Sequence, residues 1–165
     1  GTDVLAYNLG GLVTYGTGGS MLTSATAALD IYSGQTISAT TVGVFDPRYG
    51  AGHKFLGYMD YFTAIPAHTA GRGIIDLYGR AEFVWSPSLA SEVTIHHFQL
   101  MRALSAAIPS RELGQESDLV TRWKHSAPFS VELGVAAFLP GRAMRSMIGG
   151  ADPGVWVYIS PQVNF

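Results

Sequence analysis

The side chains able to do acid–base or nucleophilic chemistry are five histidines (His53, His68, His96, His97 and His125), Asp60 and a scatter of serines. Nucleophilic catalysis places a hydroxyl or thiol, a base and an orienting acid within hydrogen-bond reach of one another. No such trio stands at a recognisable spacing, and the absence of cysteine removes thiolate metal sites and disulfides from consideration. His96 and His97 are neighbours in a stretch that reads as a strand, so their rings point to opposite faces and do not share a metal ion. The stretch YGTGGS joins two strands, which makes it a turn rather than a phosphate-cradling loop ahead of a helix. The residues predict no enzyme: no catalytic site, no metal and no cofactor.

A different chemistry is written in charges spaced two apart. In IIDLYGRAEFVW, Asp76, Arg80 and Glu82 alternate with Ile75, Leu77, Ala81, Phe83 and Trp85. Asp118, Arg122 and Lys124 alternate with Leu119, Thr121 and Trp123, and Glu132 sits opposite Val131, Leu133 and Val135. Period-two spacing puts all seven charges on one strand face, where they are predicted to line a water-filled passage. With Asp30 added on the acidic side and Arg102 on the basic side, that face is mixed in sign. It fits a general small-solute pore better than a basic, anion-selecting one.

The elements that must carry these residues are strands, expected at 3–16, 20–34, 72–86, 91–102, 117–126, 129–139 and 155–165. The connections between them run short, long, short, long, short, long. In an up-and-down antiparallel sheet this leaves one end trimmed and the other overgrown, as in outer-membrane barrels. The fold class expected is therefore all-β, an antiparallel up-and-down transmembrane β-barrel with about seven strands in a single unit over 1–165. Composition agrees: 47% of residues are hydrophobic and 13% charged, about half the usual charged share. No Lys, Arg, Asp or Glu falls mid-strand on the apolar side, as a lipid-facing surface demands. Tyr15, Trp85, Phe129 and Phe165 share that side next to the short turns, where an interfacial aromatic girdle would lie. On this reading an arginine at lipid-facing Leu133 disrupts insertion, whereas one at inward-facing Gly134 is tolerated.

Two segments are less regular. In SEVTIHHFQLMR the apolar parity changes between Ile95 and Phe98, which a bulge at His96–His97 would repair. The connection 35–71 is rich in aromatics and is expected to fold. Either it enters the lumen, with Arg48, Lys54 and Asp60 lining a constriction, or it forms an external flap packed on its own Phe55, Tyr58 and Phe62. The flap is slightly preferred, because such loops commonly pack on themselves.

The succession GHKFLGYMDYF, IDLYGRAEF, HHFQL, ESDLVTRW, FSVELGVAAFLPG and VWVYISPQVNF resembles the C-terminal part of the alginate-export family of outer-membrane barrels, over about residues 53 to 165. The resemblance implies a bacterial outer-membrane porin or export channel in contact with membrane lipid and lipopolysaccharide. It also implies a larger barrel, whose remaining strands lie upstream of Gly1 or in another chain. The alternating strand ending at Phe165 resembles the signal read by the barrel-assembly machinery. The family's named member exports a polyanionic polysaccharide through a basic lumen, a feature the mixed charge here does not repeat. Two other readings stay open: a small complete barrel serving as membrane anchor or binding module, which needs an eighth strand from 36–45 or 53–62, and a soluble lipocalin-like ligand-binding barrel. A pI near 6.2 without a basic stripe predicts no nucleic-acid partner.

Overall fold

Alternating apolar and polar residues build strands, and here each strand pairs with its neighbour in sequence. The computed structural model describes residues 3–19, 21–36, 38–47 and 55–164. Seven strands form one sheet in the order of the chain: β1 (Asn8–Gly16), β2 (Leu22–Tyr32), β3 (Ile74–Ser86), β4 (Leu89–Leu100), β5 (Glu112–Lys124), β6 (Phe129–Pro140) and β7 (Gly154–Val163). Every pairing is antiparallel. Short turns join β1–β2, β3–β4 and β5–β6, and the three long connections gather at the opposite end. The sheet is open, with β1 and β7 at its edges, so the terminal strand does not return to pair with the first. No helix among the described residues is long and apolar enough to cross a membrane, which says nothing of crossing by strands.

The two faces are chemically separate. The pairing brings Tyr15, Ala25, Ala81, Val93, Leu119, Val135 and Val157 into one row across all seven strands. The adjacent row on the other face is Thr14, Thr26, Arg80, Thr94, Asp118, Ala136 and Trp156. Along the inner strands the apolar rows are the exposed ones: Leu77, Ile95, Leu119, Leu133 and Val135 are all open, while Asp76, Thr94, Glu116 and Asp118 are buried. A soluble sheet does the reverse. Glu112 departs from the pattern, since it lies opposite Gln99 on the apolar side, but it is the first residue of β5 at the long-connection end.

The irregular strand behaves differently from the bulge expectation. β4 pairs with β3 without a break from Ala90 to Leu100, so His96 and His97 carry no bulge and their rings do lie on opposite faces. The extra residue sits in β5, where Phe98 opposes Gly114 and Gln99 opposes Glu112, leaving Leu113 over. Phe98 and Leu100 therefore stay on the charged side. They are stable there because that end of the face is filled with apolar side chains.

That filling comes from the long connections. Helix α1 (Ile65–His68) and the turns before it lie against the charged face, and helix α2 (Arg142–Ile148), ended by left-handed Gly149, lies against β5. Phe62, Ile65, Ala143 and Met144 join Ile74, Phe98, Leu100, Leu113 and Phe138 in one buried cluster. The Phe62 and Phe98 rings are 4.8 Å apart and those of Tyr61 and Phe138 4.4 Å. Fully burying a side chain of this size stabilises by about 1.5–3 kcal/mol, enough to hold a short segment that has little structure of its own. Segment 55–71 thus packs on the sheet, through Phe62 above all, while Phe55 stays exposed.

Gly134 is buried, and the Tyr158 ring of β7 lies over it in the place a Cβ would occupy. The expected tolerance of arginine at this position is therefore corrected: the site accepts no side chain while Tyr158 keeps its place. Gly134→Ala should cost about 1–3 kcal/mol in a denaturant titration, as overpacked sites do. Combined with Tyr158→Ser it should cost clearly less than the sum of the two single changes.

Candidate functional site: the charged face of the sheet

Strand pairing, not sequence proximity, assembles the site. His96 on β4 lies directly between Tyr78 on β3 and Glu116 on β5, with Asp76 and Asp118 on the diagonals. Its Nδ1–H donates to Asp76 Oδ2 at 2.8 Å, and its Nε2 stands 3.7 Å from Asp118 Oδ2. The ring is stacked on Phe98 at 5.2 Å and tilted against Tyr78 at 5.1 Å. The imidazole lies between two carboxylates, and among the described residues no hydroxyl is hydrogen-bonded to its second nitrogen, where a nucleophile–base pair would place one.

The carboxylates around it are under-satisfied. Asp76, Glu116 and Asp118 are all nearly inaccessible, at 0%, 0% and 2% exposure. Asp76 Oδ1, Glu116 Oε2 and both oxygens of Asp118 have no hydrogen-bond partner. The second Glu116 oxygen, Oε1, accepts the Met59 backbone N–H at 2.8 Å. This bond and Gly57 fix segment 55–62 over the acidic centre. Gly57 has φ +82, a region that favours glycine, and a Cβ there would run into the Glu116 carboxylate.

One step toward the short-turn end the charges are paired. Arg122 Nε donates to Glu132 Oε2 at 2.7 Å, Tyr158 Oη donates to Glu132 Oε1 at 2.5 Å, and Arg80 Nε stands 3.8 Å from Glu92 Oε1. Tyr58 lies stacked near Tyr158, 6.4 Å between centroids, and Trp156 adjoins Tyr158 at 4.7 Å. Burial raises the Tyr58 hydroxyl above its ordinary pKa, and nearby Glu92 adds to the effect while Arg122 opposes it.

All seven charges expected on one face are there: Asp76 and Asp118 buried, Arg80 and Glu132 half-buried, Glu82, Arg122 and Lys124 exposed. Asp60 is exposed on the loop with φ +60, beside a cavity of about 430 Å³ also lined by His68, Met144 and Met147. Arg48, Lys54, His53 and Phe165 lie outside the described residues. Tyr15 and Trp85 are exposed on the apolar side beside short turns, Trp85 donating to Ser91 Oγ at 3.0 Å, and Phe129 is half-buried opposite Val163. Arg102 falls past the end of β4, in a connection. The residues missed were Glu92, His96 and Glu116. Uninterrupted parity through β4 would have found the first two, and extending β5 upstream of Ser117 the third.

Among the described residues no group of three or more His, Asp or Glu side chains is arranged to hold a metal ion. No protein-family model, curated protein or solved structure matches the chain.

Glu116→Ala should release segment 55–62, leaving the Met59 N–H without an acceptor at a cost of about 1–3 kcal/mol. Limited proteolysis should then cut within 55–71 faster than in the parent, with Gly57→Ala giving the same pattern. Glu116→Gln, which keeps an acceptor oxygen, should be cut more slowly than Glu116→Ala.

Proposed function

We propose that this chain forms part of the wall of a bacterial outer-membrane β-barrel that passes solutes, a porin or export channel and not an enzyme. The carrying observation is the inverted sheet: its apolar face is open across its rows, and its charged face is the one covered by the chain's own loops. In water such a surface is a liability, since exposed apolar patches beyond a few hundred Å² drive association. Against lipid it is the required surface.

The open edges support a larger barrel. In hydrocarbon an edge strand leaves N–H and C=O groups that nothing satisfies, so β1 and β7 must meet further strands, in sequence upstream of Gly1 or in another chain. The small complete barrel needs an eighth strand, and neither 36–45 nor 55–62 supplies one among the described residues. The lipocalin-like reading needs the apolar face to be the enclosed one, whereas here the connections cover the charged face. The asymmetry of short turns and long connections favours the outer-membrane location and contact with lipid and lipopolysaccharide, and the alternation along β7 favours insertion through the barrel-assembly machinery. The alginate-export resemblance belongs to this same proposal; export of a polyanion is the less favoured form of it, because the charged face is not basic.

Val13 and Thr14 are adjacent, both exposed in β1, and on opposite faces. In a bilayer-refolding titration of the full-length protein, Val13→Arg and Leu133→Arg should each lose about 2–4 kcal/mol, while Thr14→Arg stays close to the parent. Equal tolerance of all three, or full solubility of the parent without detergent, would reject the membrane reading.

A further inference from the structure

We infer that the passage along this face selects cations, an inference that rests on the pore reading and gives its solute class. The strands carry three bases on the charged face among the described residues, and two are already engaged: Arg80 beside Glu92 and Arg122 with Glu132. Lys124 remains, at the short-turn end. Against it stand Asp30, Asp76, Glu82, Glu116 and Asp118, none of which faces a Lys or Arg in an ion pair among the described residues. Among the described strand residues the acids of this face outside an Arg or Lys ion pair therefore outnumber the bases.

The buried acids supply the independent observation. Four carboxylate oxygens, on Asp76, Glu116 and Asp118, are enclosed without a hydrogen-bond donor, and His96, 3.7 Å from Asp118 Oδ2, is the basic side chain beside them. An enclosed ionised carboxylate without a partner costs several kcal/mol, and the cost is relieved by a proton or by positive charge brought alongside. Among the described residues no three of these side chains converge to hold a metal ion. The arginines of the long connections, Arg72, Arg102, Arg111, Arg142 and Arg145, lie outside the strands, and among the described residues none forms an ion pair with these acids.

The test is the reversal potential of the full-length protein in a planar bilayer under a potassium chloride gradient. The permeability ratio of K⁺ to Cl⁻ should lie several-fold above unity. It should fall in Glu82→Gln, whose side chain is exposed and whose replacement leaves the buried centre intact, and fall further in Asp76→Asn with Asp118→Asn. A parent ratio at or below unity, with channels present, overturns cation selection and leaves the pore reading standing. A ratio unchanged in Glu82→Gln and in the double variant places the selectivity elsewhere and also overturns it. Correctly inserted protein that never conducts rejects the pore and this inference together.

Discussion

The charges of this sheet are confined to one of its two faces, as the proposed lipid contact of the other face requires, and that separation organises the rest of the molecule. Among the described strand residues, every charge except Glu112 at the very start of β5 shares one side. Concentrating acids and bases on alternate positions makes cross-strand neighbours of Asp76 on β3, His96 on β4, and Glu116 and Asp118 on β5, although the three strands are separate in sequence. Each then has to be paired or covered. Arg122, Glu132 and Tyr158 show the first solution, and the Met59 N–H on Glu116 shows the second.

Covering has its own requirement. Segment 55–71 is short of regular structure, and one hydrogen bond to Glu116 would not order it against the loss of backbone freedom, roughly 1–2 kcal/mol per residue. The additional stabilisation comes from Phe62, Ile65 and Tyr61 on the inward Phe98, Leu100, Leu113 and Phe138. These sheet residues occupy positions that alternation alone assigns to polar side chains. The local break in the face pattern and the folded loop are thus the same feature seen from two sides.

That coupling explains what was readable in the sequence and what was not. The seven strands, their order and the division of faces follow from a period of two, which is a local property, and Asp76 through Glu132 fell on one face for that reason. The start of β5 was hidden because Leu113 interrupts its alternation, and β1 begins at Asn8 because Tyr7 already exchanges hydrogen bonds with Ser33. Phe98 and Leu100 suggested a bulge because their partners come from residues some forty positions earlier, a contact no local pattern carries. The acidic centre was missed for the same reason: Glu116 was outside the strand as read, and His96 matters only through its neighbours on β3 and β5.

The arginines complete the physical picture. Those of the long connections cap carbonyls that the irregular backbone leaves open: Arg72 Nη1 donates to Gln35 O at 2.8 Å, Arg145 Nε to Pro140 O at 2.9 Å and Arg111 Nη1 to Met101 O at 3.4 Å. Arginine suits this use because its fork of donors stays charged and reaches several acceptors. Two of these acceptors, Gln35 and Met101, lie in the connections, and the third, Pro140, ends β6 where the ladder stops. Within the strands the ladder itself satisfies the carbonyls, so these arginines are used where it gives out.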